Sequence, residues 1–455
     1  MTESPTVAIL GCGYVGLTTA AILSNCGYKT YALEPLKDRL DIIKTGKSFF
    51  YEAGVDPLIS AGIESDNFVP TDSYETALAG SDIVFCCMGT PDNADGSSNL
   101  TYVYAAVDAC VAHMKPGSIF VQKSTVPVGT SDQIISRFKA ANKDVAYVSN
   151  PEFLRESTAI LDTLWTDRVV VGSDDAGSAK AVLDLYRTIE DQHDKLGKIA
   201  GIAAPKQPTP TEYITTKRSS AELIKVSANA FLALKISFAN SIAKLADKTG
   251  ADIIEVMEAV GADKRIGRAF LNAGRGYGGG CFPKDVSGLI RSAEDYGVEL
   301  GIMEAVSDLN ASMPHYIINK VEHVLGGNQP LANMPVSVLG LAFKAGTSDS
   351  RRSPAIAIAN TLAERGAQVT AFDPKANHEA KPELHPSIEL VGSQETAITN
   401  SKWLFITTDW SEFIGLDFAT IKAQNPTLVG VVDCMNRLDG HKVKAAGLDY
   451  IAVGR

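Results

Sequence analysis

The sequence has few of the features that hold disulfide-rich or zinc-dependent proteins together. Its 455 residues include only seven cysteines, and no two of them have C-x-x-C spacing. Disulfide frameworks and zinc sites depend on such cysteine patterns, so we expect neither, and we expect no metal. Reduced cysteines fit a reducing compartment, and we therefore predict a cytoplasmic location.

The chain also lacks the segments that direct proteins into or across membranes. Its N-terminus has no basic region followed by an apolar stretch and a cleavage site, which a secretory signal requires. No uninterrupted apolar run reaches the roughly 18 residues of a membrane span. We therefore predict no membrane partner.

An excess of positive charge is missing too. The 42 Lys and Arg residues are outnumbered by 53 Asp and Glu, for a net charge of −11. Nucleic acid is therefore not the expected main partner, although a local basic pocket for a phosphate remains open. With 45% hydrophobic residues and about 100–200 residues per domain, the chain has material for two to four domains.

What is present is a repeated alternation of strand-like and helix-like segments. An apolar run leads into "GCGYVG", and a helical pattern and a second strand follow. Such a rhythm is typical of a doubly wound parallel sheet, and we place this first domain at residues 1–205. The predicted strands of this domain lie at 6–10, 28–35, 82–91, 117–127 and 144–153.

The middle and end of the chain have their own patterns. The polar stretch 201–220 predicts a linker, and 220–250 predicts a long, mainly apolar helix within a central domain at 206–325. Residues 357–374 repeat the order of 18–35: apolar helix, glycine, strand, acidic residue, proline. The sequence therefore predicts an α/β fold, in which the long central helix joins two Rossmann-like domains, the second at 326–455. The last strands are predicted at 402–409 and 428–434.

A glycine motif at the end of the first predicted strand indicates a dinucleotide site. Gly11, Gly13 and Gly16 form G-x-G-x-x-G, whose glycines permit a tight turn and a close approach of the backbone to a pyrophosphate. Glu34 ends the next strand, where a carboxylate accepts hydrogen bonds from a ribose diol. This carboxylate favours NAD over NADP, although the nearby Arg39 is a mild argument for NADP. The alternative for the glycine motif is a turn with a structural role only.

A second glycine cluster precedes one cysteine. In the segment 276–281, glycines remove side-chain bulk next to Cys281, so that a reacting carbon could approach the sulfur. If a helix begins near Pro283, its N-terminus and Lys284 would favour the thiolate. A buried, inert thiol is the commoner fate of a cysteine, and we predict that fate for Cys12, Cys26, Cys86, Cys87 and Cys110.

Further polar residues lie in apolar surroundings. Glu222, Lys225 and Asn229 form one polar stripe on the predicted long helix, and a buried lysine needs a partner unless it reaches a solvated edge. Glu152 and Glu156 would share a helical face if their loop opens a helix.

Thr125 follows a strand at its carboxyl end, which is the ligand side of an open α/β sheet. Any of these residues could equally be a surface residue.

An NAD site combined with a thiol indicates the oxidation of an alcohol to an acid, through a thiohemiacetal and a thioester. Three other classes stay open: a silent NAD-binding module, a two-electron dehydrogenase and a scaffold. A silent NAD-binding module predicts the loss of Cys281, Lys225 or Asp285. A two-electron dehydrogenase has no need of the thiol, and a scaffold leaves the polar stripe unexplained.

The whole chain resembles the nucleotide-sugar 6-dehydrogenases, through "GCGYVGL", "KSTVPVGT", "NPEFLRE", "GYGGGCFPKD" and "GLAFKAGTSDSRRSPA". The resemblance implies a four-electron oxidation of the sugar C6 alcohol with NAD, in a homodimer or higher homo-oligomer. It also implies the following catalytic residues: Cys281 as nucleophile, Lys225 and Asn229 at the oxyanion, Asp285, Thr125 and Glu152 at the water, and Glu156 where sugar and cofactor meet.

The same resemblance implies the ligand contacts. The NAD contacts would be Gly11, Gly13, Tyr14, Val15, Gly16, Glu34, Arg39, Thr90, Thr125, Glu156, Lys284 and Arg351. The nucleotide-sugar contacts would be Glu152, Phe153, Leu154, Glu156, Lys225, Asn229, Arg265, Phe270, Tyr277, Gly278, Phe343 and Lys344. Arg265 would reach the substrate of a neighbouring subunit.

Three features depart from the usual pattern of this family. Gly280 stands where a serine is usual, and Met435 takes the place of an arginine that helps to bind the nucleotide. The connection at 185–215 is long. UDP-glucose is the favoured substrate, and TDP-glucose, GDP-mannose and UDP-N-acetyl sugars are the alternatives.

Overall fold

The structure is a computed structural model that describes residues 4–328 and 330–455. The chain forms two compact units, one ending at Ala228 and the other running from Asn229 to Arg455. The division into three domains at 1–205, 206–325 and 326–455 stays a prediction.

The first unit is built on an eight-stranded sheet with the strand order β3-β2-β1-β4-β5-β6-β7-β8. Its central strands are short and apolar, and all four residues of β1 are buried, as is usual in a parallel sheet covered on both faces. Its strands are β1 (Val7–Leu10), β2 (Thr30–Leu33), β3 (Phe68–Thr71), β4 (Ile83–Cys86), β5 (Ser118–Gln122), β6 (Val145–Ser149), β7 (Arg168–Ser173) and β8 (Glu212–Thr216).

Helices complete the first unit. They are α1 (Tyr14–Asn25), α2 (Lys37–Lys44), α3 (Val55–Glu64), α4 (Tyr74–Leu78), α5 (Thr101–His113), α6 (Thr130–Ala140), α7 (Ala159–Leu164) and α8 (Ala176–Ala200). One apolar cluster packs α1, α3 and α8 against the sheet, and another packs α5 and α6 against it. The loops between them lie at the strand ends, where the predicted site residues are.

The predicted long helix exists as α9 (Arg218–Thr249). It stops before Gly250, whose φ of +76° is the left-handed conformation that glycine adopts at helix ends. Among the described residues, this one helix is long and apolar enough to cross a membrane, with a mean hydropathy of 1.2 over its most apolar stretch. Buried core helices pass the same test, so this is weak evidence for a span.

The second unit contains a six-stranded sheet in which every neighbouring pair is parallel, in the order β11-β10-β9-β12-β13-β14. The strands are β9 (Pro335–Leu339), β10 (Gln368–Phe372), β11 (Glu389–Leu390), β12 (Trp403–Ile406), β13 (Gly430–Asp433) and β14 (Asp449–Ala452). The helices are α10 (Ile253–Gly261), α11 (Phe282–Asp295), α12 (Gly301–Leu325), α13 (Pro354–Glu364), α14 (Asn377–Ala380), α15 (Gln394–Ile398), α16 (Ser411–Ile414), α17 (Phe418–Gln424) and α18 (Gly440–Ala445), with a 3-10 turn at Lys381–Glu383.

The predicted α/β class with two Rossmann-like sheets and a helical middle is confirmed. Strands β3, β7 and β11 were not among the predicted strands, and three further details differ. Strands β6 and β7 are antiparallel, so the first sheet is not wholly parallel. The predicted linker at 201–220 contains β8, which pairs along its length with β7. The last strand is β14, beyond the two that were predicted to be last.

Candidate functional site

The glycine motif of the first unit forms a tight turn between β1 and α1. Gly11 has a φ of +89°, and a Cβ on Gly16 would lie 1.9 Å from the Gly11 carbonyl oxygen. A Cβ on Gly13 would meet nothing within 4 Å. Gly11 and Gly16 are therefore required by the turn itself, whereas Gly13 leaves open space at the N-terminus of α1. That open space fits a pyrophosphate.

Two side chains beside this turn also fit NAD. Glu34 directly follows β2; its Oε1 accepts a hydrogen bond from the Leu36 amide, and its second oxygen has no partner among the described residues. The hydroxyl of Tyr14 is buried and likewise lacks a hydrogen-bond partner in that part of the chain. Burial, followed by the charges of Glu52 and Glu156, raises the pKa of Tyr14, which keeps its phenol protonated as a donor.

Other predicted NAD contacts of the first unit follow its strands or lie on its helices. Thr90, after β4, donates its hydroxyl hydrogen to the Thr125 carbonyl, after β5, at 3.0 Å. Val15 is in the first turn of α1. Arg39 is exposed, and its guanidinium lies over the ring of Phe49, 4.6 Å from the ring centroid.

A buried ion pair joins Glu152 to Lys225 of α9. Their Oε1 and Nζ atoms are 3.0 Å apart, and both side chains are less than a tenth exposed. The second oxygen of Glu152 accepts a hydrogen bond from the Leu154 amide at 2.5 Å. The centre of the Phe153 ring lies 5.5 Å from the ammonium of Lys225 and 3.9 Å from the guanidinium of Arg168. The prediction that a buried Lys225 needs a partner is confirmed. The pair holds a proton donor and acceptor out of bulk water.

The loop of Glu152 and Glu156 is not helical. It runs from β6 to α7 without regular structure, so the condition under which the two carboxylates would share a helical face is not met. The Ser157 and Ala159 amides donate instead to the Glu52 carboxylate, at 2.7 and 2.8 Å. Glu52 therefore fixes the end of the loop, a role that sequence reasoning missed because the two segments are about a hundred residues apart.

A second buried lysine was missed by the sequence analysis. Lys123 is 5% exposed and donates to the Tyr186 hydroxyl at 2.7 Å, which in turn donates to Asn150 at 2.6 Å. These residues line a cavity of the first unit together with Glu152 and Phe153. The signal was present, since Lys123 interrupts an apolar strand end in "IFVQKST".

The residues of the polar stripe on α9 have different roles. The carboxylate of Glu222 accepts the amides of Gly129 and Ser131 at 2.9 and 2.8 Å, at the N-terminus of α6. Glu222 therefore has a structural role as a helix cap. Asn229 donates to Asp285 Oδ2 at 2.6 Å within the second unit. Lys225 and Asn229 are one helical turn apart.

Cys281 stands at the N-terminus of α11 in the second unit. The helix begins at Phe282 with a proline in its first turn, as predicted. Asp285 is 3% exposed; it accepts Asn229 on one oxygen and Lys284 on the other, at 2.7 Å. The ammonium of Lys284 is thus paired with Asp285 and does not act on the thiol alone.

The seven cysteines differ in exposure, and all lie in the described ranges. Cys281 is exposed, and none of the seven forms a disulfide. Burial raises the pKa of Cys26, Cys86 and Cys87 to about 12, and it also raises the pKa of Cys12, Cys110 and Cys434. The raised pKa values keep these six thiols protonated at neutral pH. Cys26 is partly exposed, in contrast to the predicted burial, and Cys281 is the cysteine that is fully on the surface.

The glycines before Cys281 make room for protein atoms. A Cβ on Gly278 would lie 2.4 Å from the Arg352 carbonyl oxygen, one on Gly279 2.8 Å from the Phe343 ring, and one on Gly280 2.7 Å from the Arg351 guanidinium. We expected these positions to admit a substrate carbon. At these three glycines, the space is instead taken by the loop after β9.

Two asparagines that sequence reasoning missed hold the cysteine loop, residues 274–281. Asn310 of α12 accepts the Tyr277 amide at 2.8 Å and donates to the Tyr277 carbonyl at 3.0 Å. Asn240 of α9 accepts the Gly274 amide at 2.7 Å. Their spacing from the loop in sequence gave no signal, because both contacts are made by distant helices.

The other predicted substrate residues of the second unit are spread over its surface and loops. Phe270 has a φ of +66°, a strained conformation for an aromatic residue, and its ring lies 6.0 Å from that of Phe282. Lys344 lies over the ring of Phe343 at 5.8 Å. Arg265 and Arg351 are exposed and form bidentate pairs with Asp263 and Asp349.

Within the described ranges, no group of three or more His, Cys, Asp or Glu side chains could hold a metal ion. The chemical groups that the structure provides are a dinucleotide turn and a buried Glu–Lys pair in the first unit, and an exposed thiol with an Asn–Asp–Lys cluster in the second. Together these groups could support oxidation with a nicotinamide cofactor and a covalent step on sulfur.

Comparison with known proteins agrees with these observations. Sequence models of the UDP-glucose/GDP-mannose dehydrogenase family match residues 5–190 as the NAD binding domain, 219–312 as the central domain and 337–440 as the UDP binding domain. A UDP-glucose 6-dehydrogenase of Rhizobium meliloti is 36% identical over 99% of both chains, and one of Bacillus subtilis is 35% identical over 99% of this chain and 97% of its own.

Solved structures give the same result. A UDP-glucose dehydrogenase from Pyrobaculum islandicum has a TM-score of 0.86 and 34% identity, covering 100% of this chain and 98% of its own. A UDP-D-ManNAc dehydrogenase from Pyrococcus horikoshii, at 22% identity, shares the fold with a TM-score of 0.84, covering 99% of both chains. The cofactor of the first unit is NAD, and the chain belongs to the UDP-glucose/GDP-mannose dehydrogenase family.

Proposed function

We propose that the protein oxidises UDP-glucose at C6 to UDP-glucuronate, with reduction of two NAD. The observation that carries this proposal is the exposed Cys281 at the start of α11, beside the buried Asp285–Asn229 contact, in a family whose members bind NAD and UDP. A two-electron alcohol dehydrogenase has no use for such a thiol.

The chain's own residues account for each proton and bond. In the first oxidation, a hydride leaves C6 while the carboxylate of Glu152, assisted by the paired ammonium of Lys225, takes the proton of the C6 hydroxyl, which gives an aldehyde. Cys281 Sγ then adds to the carbonyl carbon and forms a thiohemiacetal, whose oxyanion Asn229 and Lys225 stabilise. Loss of a second hydride converts it to a thioester. NAD supplies the acceptor for both hydrides.

Hydrolysis completes the sequence. A water attacks the thioester carbon and gives a proton to Glu152, which has by then released its earlier proton to solvent. The carbon–sulfur bond breaks, and the thiolate of Cys281 is restored as the acid is released. We assign the positioning of this water to Glu152, Asp285 and Thr125. The buried position of Glu152 and Asp285, at 8% and 3% exposure, supports a role as bases in a site with little competing water.

The substrate assignment rests on the relatives. Those named above at 34–36% identity are UDP-glucose dehydrogenases. Gly280 and Met435 depart from the usual residues of the family, so TDP-glucose, GDP-mannose and UDP-N-acetyl sugars are the competing substrates.

The test counts NADH formed per sugar consumed, with each of these donors and with three proteins: the wild type, Cys281→Ala and the matched control Cys26→Ala. We expect two NADH per UDP-glucose for the wild type and the control, and no acid from Cys281→Ala, which should still bind NAD. One NADH per sugar from the wild type, or full acid production by Cys281→Ala, would contradict the mechanism. Two NADH with a different preferred donor would change only the substrate.

We also propose that α9 joins two copies of the chain. Phe231, Phe238 and Leu245 are spaced by seven residues along this helix and are 60%, 45% and 59% exposed. A repeat of seven places them on one face, and an apolar face of this kind is normally covered by another helix. The same helix of a second copy offers a matching apolar face.

Light scattering on the purified protein tests the homodimer. Phe238→Glu should give a monomer, whereas Val324→Glu, an equally apolar exposed residue on α12, should keep the wild-type mass. A monomeric wild type would disprove the proposal.

A further inference from the structure

Arg275, at the start of the cysteine loop, is a buried cation without an acidic partner. It is 1% exposed. Its Nη2 donates to the carbonyls of Phe343 and Ala342, at 2.7 and 3.3 Å, its Nη1 to Ser353 Oγ at 3.4 Å, and its Nε to Met435 Sδ at 3.0 Å. In the described part of the chain, none of these partners is a carboxylate. Burial lowers the pKa of Arg275 to about 10, so the guanidinium remains charged at neutral pH.

Two acids, Asp409 and Asp373, act on Arg275 through their charges, but among the described residues neither forms a hydrogen bond or ion pair with it. The carboxylate of Asp373 accepts five hydrogen bonds, from the amides of Leu341, Ala342, Lys375 and Ala376 and from the indole of Trp410. Asp409 pairs with Arg437 at 3.4 Å. The guanidinium of Arg275 is thus buried without direct contact to a carboxylate, and burial of a charge in this way costs folding free energy. An anion bound nearby would offset that cost.

The position of Arg275 indicates what that anion is. Ala342 and Phe343 lie just after β9, and the Arg275 amide donates to the carbonyl of Cys434, just after β13. The sheet order places β9 next to β12, at the point where the strand order reverses. In open α/β sheets, ligands bind outside the carboxyl ends of the strands at this point. The family match identifies this region as a UDP binding domain, and the anionic part of UDP is its diphosphate.

The loop after β9 can transmit the charge. The peptide bonds are trans, so a carbonyl that faces Arg275 turns the N–H of the same peptide group to the opposite side. The Phe343 carbonyl is held by Arg275, and the Lys344 N–H of that peptide therefore points away from the guanidinium. A positive charge behind a peptide, in a site of low dielectric, strengthens the pull of its N–H on an anion in front of it.

We propose that Arg275 supplies the positive charge that binds the diphosphate of the nucleotide-sugar, and that it acts through the peptide group between Phe343 and Lys344. The side chain of Met435, which contacts Arg275, carries no charge of its own. Arg275 is a positioning and charge-supplying residue of the nucleotide site. This inference rests on the proposed function, because it requires a nucleotide diphosphate in the second unit.

Calorimetric titration of the full-length protein with UDP and with uridine tests the proposal, because uridine has the same base and ribose without the charge. We expect Arg275→Met to weaken UDP binding at least tenfold and to change uridine binding less than threefold. Arg275→Lys, which keeps the charge, should stay within a few-fold of the wild type for both. The control Arg365→Met removes the same charge from an exposed pair with Glu322 and should change neither affinity.

Three results would overturn the inference. Arg275→Met could weaken UDP and uridine equally, which would assign Arg275 a purely structural role in the loop. It could leave UDP binding unchanged. Or Arg275→Lys could lose as much UDP affinity as Arg275→Met, which would make the geometry and not the charge decisive.

Two further arms keep the test decisive. If Arg275→Met does not fold, Arg275→Gln, which retains hydrogen-bond donors, replaces it with the same expected ratio of UDP to uridine affinity. The double variant Arg275→Met, Met435→Arg returns a guanidinium to the adjoining position and should recover part of the UDP affinity; no recovery would contradict the proposal. A wild type that binds UDP no better than uridine would instead disprove the proposed function.

Discussion

At the scale of single residues, two glycines of one motif have different roles: Gly16 is needed for folding of the turn, and Gly13 for binding of the cofactor. The two lie three residues apart, but a Cβ on Gly16 would collide with the Gly11 carbonyl, whereas one on Gly13 would enter open space. Gly13 also has a φ of −65°, which any residue adopts. Substitution by alanine therefore removes a different property at each position.

Gly16→Ala should lower the free energy of unfolding by about 1–3 kcal/mol because the turn must move to admit a Cβ. Gly13→Ala should keep wild-type stability within about 1 kcal/mol and weaken NAD binding at least about tenfold, since the methyl group occupies the space of the pyrophosphate. Urea unfolding and NAD titration measure the two effects. A Gly13→Ala protein that binds NAD normally would show that the pyrophosphate lies elsewhere.

Glu222 gives a prediction on pH. Burial raises the pKa of Glu222 from its ordinary value of 4.5, against the opposing effect of the two amides that it caps. A carboxyl whose pKa is higher in the folded state stabilises the fold most at low pH, and this contribution is lost as the pH rises through the folded pKa. Glutamine resembles the protonated form and does not ionise.

The stability of Glu222→Gln relative to the wild type should therefore improve as the pH rises from 4 to 7. Urea unfolding at several pH values measures this difference. The opposite trend would mean that the amides of Gly129 and Ser131 outweigh burial and hold the pKa below its ordinary value.

At the scale of elements, the cysteine loop depends on helices that are remote from it in sequence. Asn310→Ala removes both hydrogen bonds to Tyr277 and should lower the free energy of unfolding by about 1–3 kcal/mol. It should also speed amide hydrogen exchange in residues 274–281. Asn360 bridges the Glu383 carbonyl and the His385 amide in a similar manner, so Asn360→Ala serves as the control and should leave exchange in the cysteine loop unchanged.

The elements also show which parts of the fold can be predicted from sequence. The buried central strands β1, β4 and β12 are continuous apolar runs, and this pattern suffices to predict them. Strands β3 and β8 lie at the two edges of the first sheet and are only partly buried. A partly exposed edge strand needs no apolar run, so polar "EYITT" was interpreted as a linker.

The site divides in the same way. Glycine spacing predicts the turn at Gly11, and the "CFPKD" segment predicts the start of α11, because both depend on residues that are neighbours in sequence. The capping by Glu52 and Glu222 and the contact between Lys123 and Tyr186 join segments that are tens of residues apart or more. Local pattern carries no information on such pairs.

At the scale of the whole molecule, the two ligands should protect different units. NAD should slow amide hydrogen exchange at the turn 11–16 and at the end of β2, and UDP should slow it in the segment 340–346. The first expectation follows from the dinucleotide turn of the first unit, and the second from the carboxyl edge of the sheet in the second unit. Exchange measured by mass spectrometry with each ligand alone checks the assignment, and protection of the segment 340–346 by NAD alone would contradict it.

The engagement of Asp373 limits how the two sheets can be redesigned. Each sheet begins with a strand, a glycine of positive φ and, after the next strand, an acidic residue followed by proline. In the first unit, one carboxylate oxygen of Glu34 has no hydrogen-bond partner among the described residues. In the second unit, five donors occupy the carboxylate of Asp373. A second nicotinamide-binding pocket in the C-terminal half could therefore not use Asp373 as the acid that binds the ribose. If Asp373 left its present hydrogen bonds, buried backbone amides would lose their acceptors. In this chain, the availability of that one carboxylate distinguishes the sheet that holds the cofactor from the sheet whose acid serves its own backbone.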